Sequence, residues 1–472
     1  MLDEDVILRY ARYGNEKALI LNIFAIVFLP ALFNGGDGAI ALSLIFSLGI
    51  AAPINVFTYP INWIDAPEYS RSKYAACLLP CIAFFAIAFI RYFAPSLEIG
   101  TLGGVEALRL SEENSGKILT SASPSFFDAM SNSIIALSAA LCAFSVFIIT
   151  KSRFVIKTML LCCAAGAAAL ALLGLALDAL FALEVPAILK IYSVHSFSTF
   201  LDKTEFSYFA CVWAAAFFAA GIYTFQRFSL WGVFSSLRAL ILASGIFLAA
   251  VSIYTAGELF KPFIYAACAV IALIYALDAL PTKSNLKRHN KRIVAANFAG
   301  ILKVSAPFII YIALSVCAAA GAFYSAGAAI KNNREPSPEN MEKRLIDADA
   351  MEAARQKPLF GWGGGSFKNV MAISQGDDIK NAPLPKASSD AVKALLENGY
   401  CGIALLAAAP FLLMLYIICR FGISKSGMIM LSSILALLAA SFVLTPFESP
   451  SVLISFWIMM GSFIAWQNSK II

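Results

Sequence analysis

The chain has 472 residues, 60% of them hydrophobic and only 14% charged, with a formal charge of +6. A soluble domain carries about 45–50% apolar and about 25% charged residues, so a mean hydropathy of +0.79 excludes an ordinary soluble fold and points to a polytopic membrane protein. Only His195 and His289 are present, which excludes a histidine-rich metal centre, and the ten cysteines lie in or beside apolar stretches, where they read as packing residues.

The N-terminal stretch MLDEDVILRYARYGNEK lacks a basic region followed by a short apolar core and a small-residue cleavage site, so no removable signal peptide is expected. A membrane span needs about 20 mostly apolar residues. Twelve runs meet or approach this: 18–34, 38–58, 74–94, 131–150, 154–180, 206–225, 235–255, 260–280, 303–325, 400–420, 426–446 and 450–467. The second is the weakest, interrupted by Pro53 and Pro60. In lipid the backbone must satisfy itself internally, so the runs are expected to be helices.

Basic residues alternate along the connections. Arg71 and Lys73, Lys151 and Arg153, Arg227 and Arg238, the stretch KSNLKRHNKR around His289, and Arg420 with Lys425 fall on one side, as the positive-inside rule requires of the cytoplasmic face. Both termini are then cytoplasmic, and three longer loops, 95–130, 181–205 and 326–399, lie outside. The chain thus divides into nine spans over 1–325, a large outer loop over 326–399 and three spans over 400–472. The expected fold is all-α.

The third outer loop carries ten Lys/Arg and ten Asp/Glu. REPSPENMEKRLIDADAMEAARQKP reads as a helix with Ser337 as cap, Pro338 in the first turn and Pro358 as stop. Met341, Leu345, Ala348 and Met351 fall at helical spacing as a candidate apolar stripe. Arg344 and Arg355 are eleven residues apart, about three turns, so both project from nearly the same side. Two guanidiniums so placed suit a diphosphate; a solvated face paired with Asp347 and Glu352 is the other reading. The turn PLFGWGGGSF, with Gly363 and Gly364, lacks the Lys-Ser/Thr ending of a P-loop. Its glycines instead permit close backbone approach to another helix or to a ligand. A second helix is expected to start at Ser388, Ser389 and Asp390, with Val392, Leu395 and Leu396 as its apolar side, free N–H groups suited to an anion at its start, and Asn398-Gly399 as a kink or end.

The stretches EKRLIDADAMEAARQKPLFGWGGGSF and ASSDAVKALLENGYCGIALL resemble the signature of the bacterial O-antigen ligase and polymerase superfamily. Pro358, Leu359, Gly361, Gly363, Gly365 and Phe367 fit its glycine turn, and Glu397, Gly399 and Gly402 fit its later E-x-G-x-x-G motif. The resemblance implies twelve spans of the membrane GT-C type and metal-independent transfer, with no cofactor. A glycan would pass from undecaprenyl diphosphate to lipid A-core or another glycan at the periplasmic face of the bacterial inner membrane.

It also implies that Arg344 and Arg355 hold the donor diphosphate, beside Gly363, Gly364, Ser388 and Ser389. The chain departs from the pattern twice: Ser388 stands where the family has its loop histidine, and His195, in HSFSTF, stands where the family has arginine. Asp390 and His195 are therefore the candidate bases. A repeat-unit polymerase, a transporter or flippase, and a catalytically silent glycolipid-binding homologue are the alternatives. Few charges fall within the spans and no internal repeat is visible, which weighs against a transporter.

Overall fold

The computed structural model describes residues 4–33, 39–57, 68–94, 97–102, 105–110, 121–123, 126–149, 152–183, 196–224, 237–279, 310, 312–327, 338–374, 387–421 and 423–469. They form helices α1 Glu4–Leu32, α2 Ala39–Phe57, α3 Glu68–Tyr92, α4 Phe126–Ile149, α5 Arg153–Ala182, α6 Lys203–Thr224, α7 Leu237–Thr255, α8 Lys261–Ala279 and α9 Ile312–Gly327. There follow α10 Pro338–Gln356, α11 Phe367–Ser374, α12 Asp390–Phe421, α13 Lys425–Ala440 and α14 Pro450–Asn468.

Six of these helices contain windows long and apolar enough to cross a membrane by length and composition: Asn15–Leu32, Ala129–Ile148, Arg153–Ala182, Lys203–Ile222, Asp390–Ala408 and Pro450–Gln467. Shorter apolar helical segments, Ile40–Ile54, Ile82–Tyr92, Ala239–Thr255, Lys261–Leu277, Ile312–Gly327 and Lys425–Ala440, coincide with the remaining apolar runs of the sequence.

Helices α6 and α14 sit at the centre. Trp213 and Phe209 on α6 and Trp466 and Phe463 on α14 are fully buried, and the Trp213 indole donates to Ser455 Oγ at 3.1 Å. α5, α7 and α13 pack on α6, and α4 packs on α14. α2 and α3 lie against α4, and α12 lies against α3. The outward faces stay apolar: Phe323, Leu172, Leu240 and Ile246 are exposed. An exposed apolar surface of this kind suits lipid, where the drive between helices is close packing rather than release of water.

One hairpin departs from the all-α expectation. Strands β1 Leu97–Leu102 and β2 Val105–Leu110 pair antiparallel, from Leu97 opposite Leu110 to Leu102 opposite Val105. It lies between α3 and α4.

Helices α10 and α11 and the first turns of α12 form a polar unit with its own small core. Ile346, Ala350, Ala353, Ala354, Trp362, Phe367, Val370, Met371 and Leu396 are buried together, with Val392 and Leu395 against them. The α12 apolar side falls where the sequence suggests, but the α10 stripe does not. Leu345, Ala348 and Met351 are exposed, the Met341 side chain is outside the described residues, and the buried face runs through Ile346, Ala350 and Ala353. The larger side chains suggested one face; the small alanines, which admit close approach of α11 and Trp362, define another.

Candidate functional site

Helix α12 is broken at Gly399, whose φ of 63° and ψ of −174° are not helical. The break comes where the Asn398-Gly399 pair suggested a kink. It separates a polar segment, 390–398, from the apolar one that follows, and it leaves backbone groups on both sides without helical partners. Such groups must find others. The glycine turn supplies them: Trp362 and Gly363 donate to the carbonyls of Leu396 and Glu397 at 2.8 and 2.7 Å. In return, Tyr400 and Cys401 donate to the carbonyls of Pro358 and Leu359, each at 2.9 Å.

This backbone seam explains the glycines. Gly361 and Gly399 both have positive φ, 64° and 63°, in the region that disfavours side chains. A Cβ on Gly361 would lie 2.5 Å from the Leu396 carbonyl oxygen, and one on Gly399 would lie 2.6 Å from the Gly361 nitrogen. A Cβ on Gly363 would lie 2.8 Å from Ser121 Oγ, and one on Gly364 would lie 2.6 Å from the Ala129 carbonyl oxygen. Close approach to another part of the protein, one of the two uses the sequence allows for the turn, accounts for Gly361, Gly363, Gly364 and Gly399.

Two buried ionisable side chains brace the seam. Arg91, near the end of α3, donates from Nη1 to Phe360 O at 2.6 Å and from Nη2 to Gly361 O at 2.8 Å. The Glu397 carboxylate accepts from Asn132 Nδ2 at 3.2 Å and from the Phe367 N–H at 3.4 Å, and also from the Gly365 N–H. The turn is thereby tied to α3, α4, α11 and α12 together. Neither residue was a candidate from the sequence as a brace. An arginine inside an apolar run was the available signal for Arg91.

The start of α12 is built from side chains. Ser389 Oγ accepts from the Val392 N–H at 3.3 Å and acts as the cap. Ser388 Oγ instead bonds to the Asp347 carboxylate of α10. Asp390 Oδ2 accepts from the Phe447 N–H at 2.7 Å, and Lys393 pairs with Glu448 at 3.6 Å. The helix start was expected to offer free N–H groups to an anion. It does not: Asp390 N–H donates to Leu444 O at 2.9 Å and Ala391 N–H to Ser441 O at 3.1 Å. The residues after α13 fold back over the helix end, a long-range contact that local sequence cannot reveal.

Arg355 is exposed on the last turn of α10. Arg344 lies on the same helix, and its side chain, like His195, is outside the described residues. Lys357 follows, with its ammonium 4.5 Å from the Trp362 ring centroid. Partial burial, aided by the nearby Arg91 guanidinium, pushes the Lys357 ammonium down to about 8 from the usual 10.5. Among the described residues no group of three or more His, Cys, Asp or Glu is arranged to hold a metal ion.

Stacked apolar helices with a separate polar unit seated on α3, α4 and α12 define a multi-pass helical membrane protein. No known protein family matches the chain, and no curated protein matches it.

Proposed function

We propose that the chain is a glycan transferase of the O-antigen ligase and polymerase type. It would move a glycan from undecaprenyl diphosphate to a lipid or glycan acceptor at the periplasmic face of a bacterial inner membrane. The observation that carries this reading is the meeting of Ser388, Asp347, Asp390, Lys393 and Glu448 at one helix start. The same helix carries the resembling motif and is seamed to the glycine turn.

In this reading Asp390 is the base. Its Oδ2 is held by the Phe447 N–H, which fixes the carboxylate, and Oδ1 takes the proton of the acceptor hydroxyl. The hydroxyl oxygen bonds to the anomeric carbon as the bond to the diphosphate breaks, in one inverting displacement. Arg344 and Arg355 neutralise the departing diphosphate. His195 is the other candidate base.

Twelve spans with both termini cytoplasmic are part of the proposal. The six shorter apolar helices, at the positions of the remaining runs, support that count. Labelling of Asp377→Cys by an impermeant reagent on intact cells is the expected outcome; labelling of Lys287→Cys instead would reverse the topology.

The deciding experiment is reconstitution with undecaprenyl diphosphate-linked glycan and candidate acceptors. Transfer to lipid A-core marks a ligase and transfer to a second lipid-linked glycan marks a polymerase. Failure to bind the donor at all removes the reading. The Ser388–Asp347 contact favours one second reading, a glycolipid-binding homologue without turnover, because it occupies the position of the family histidine. Donor binding without transfer, with transfer gained in Ser388→His, would select it.

A further inference from the structure

Between α10 and α11 lies a cleft of about 300 Å³ that no residue of the α12 start lines. Asp349, Glu352 and Gln356 line one side. They sit at i, i+3 and i+7 of α10 and so project from one face. Trp362 and Ile373 form the opposite side, and Ser374 closes the edge. The indole is held in place by its Nε1 bond to Ala353 O at 2.8 Å. No hydrogen bond or ion pair among the described residues engages the side chains of Asp349, Glu352 or Gln356.

The chemistry of the lining excludes most ligand classes. An anion such as phosphate would meet two carboxylates and no lining cation. A metal ion lacks a third ligand among the described residues. A wholly apolar molecule would bury the carboxylates without partners, which is costly. The volume suits a small molecule rather than a polypeptide. What fits is a protonated amine carried on a compact body with one apolar face.

We propose that the cleft binds a primary ammonium ligand, with Asp349 and Glu352 as its counter-charges, Gln356 and Ser374 as hydrogen-bond partners, and Trp362 with Ile373 as its apolar wall. An amino sugar and a free polyamine share this chemistry. The site stands apart from the transfer reaction, because amine binding needs neither donor nor turnover.

The test is calorimetric titration of the full-length protein in non-ionic detergent at neutral pH, with glucosamine, spermidine, glucose and inorganic phosphate as separate probes. Saturable binding of glucosamine or spermidine is expected, with none for glucose or phosphate. Glucosamine alone identifies an amino-sugar site, and spermidine alone a polyamine site. Binding should weaken at least about tenfold in Asp349→Asn and in Glu352→Gln. Both side chains are partly or fully exposed, so both variants should melt as the parent does. Absence of amine binding, glucose bound as tightly as glucosamine, or unchanged affinity in both variants overturns the proposal.

Discussion

Within the polar unit, the glycine turn and the start of α12 are built on opposite plans. At 358–365 backbone-to-backbone bonds form the seam, braced by the Arg91 and Glu397 side chains, and the glycines matter for the side chains they lack. At 388–393 two backbone bonds to Leu444 and Ser441 are joined by contacts through carboxylates, hydroxyls and an ammonium. The contrast teaches that a glycine-rich motif in a candidate site need not touch the ligand. Here its work is to hold a broken helix, so that the side chains on the polar half of that helix stay where they are.

The contrast predicts a division between stability and activity. Gly361→Ala and Gly399→Ala should be the most damaging changes. Each forces a side chain into positive φ and against backbone atoms 2.5–2.7 Å away, for a loss of about 2–5 kcal/mol. Thermal melting in detergent reads this directly. An unchanged melting temperature in both would mean that the seam is not what holds the turn.

Asp390→Asn should do the reverse. The amide oxygen can still accept from the Phe447 N–H, so the fold should persist, while transfer falls by about 100-fold or more through loss of the base. Full transfer in this variant would move the role to His195. A smaller effect is expected at the arginines. Arg355 is exposed, so Arg355→Ala should leave melting alone and weaken donor binding by about 1.5–3 kcal/mol, as should Arg344→Ala. Equal donor affinity in parent and variants would return both to a solvated face.

The smallest effect concerns Lys357, which borders the seam. Its folded value of about 8 lies below the usual 10.5. Between those values the unfolded chain holds a proton that the folded chain has released, so stability should rise with pH across the window. The side chain is only partly buried, so the slope is shallow. Lys357→Met should remove it from a series of melting temperatures taken between pH 7.5 and 10.5. A slope that survives the substitution would assign it to another group.

Much of this was legible in the sequence, for reasons that are local. Apolar run length placed the helical segments, because the backbone in lipid has few alternatives to a helix. Pro358 stopped α10 just before it, and Asn398-Gly399 marked the break in α12. Ser389, Val392, Leu395 and Leu396 took the capping and packing positions their spacing implied. These features depend on residues within a turn or two of one another.

What only the tertiary structure decided depends on residues far apart in the chain. The buried face of α10 was set by where α11 and Trp362 come close, which favours Ala350 and Ala353 over the larger Leu345 and Met351. The N–H groups opening α12 were claimed by Ser441 and Leu444, some fifty residues on. Arg91, more than 260 residues before the carbonyls it holds, became the brace of the glycine turn. Sequence spacing reports which residues share a helical face. It carries no record of which distant backbone atoms arrive opposite that face, and the closing hydrogen bonds of this polar unit are of that second kind.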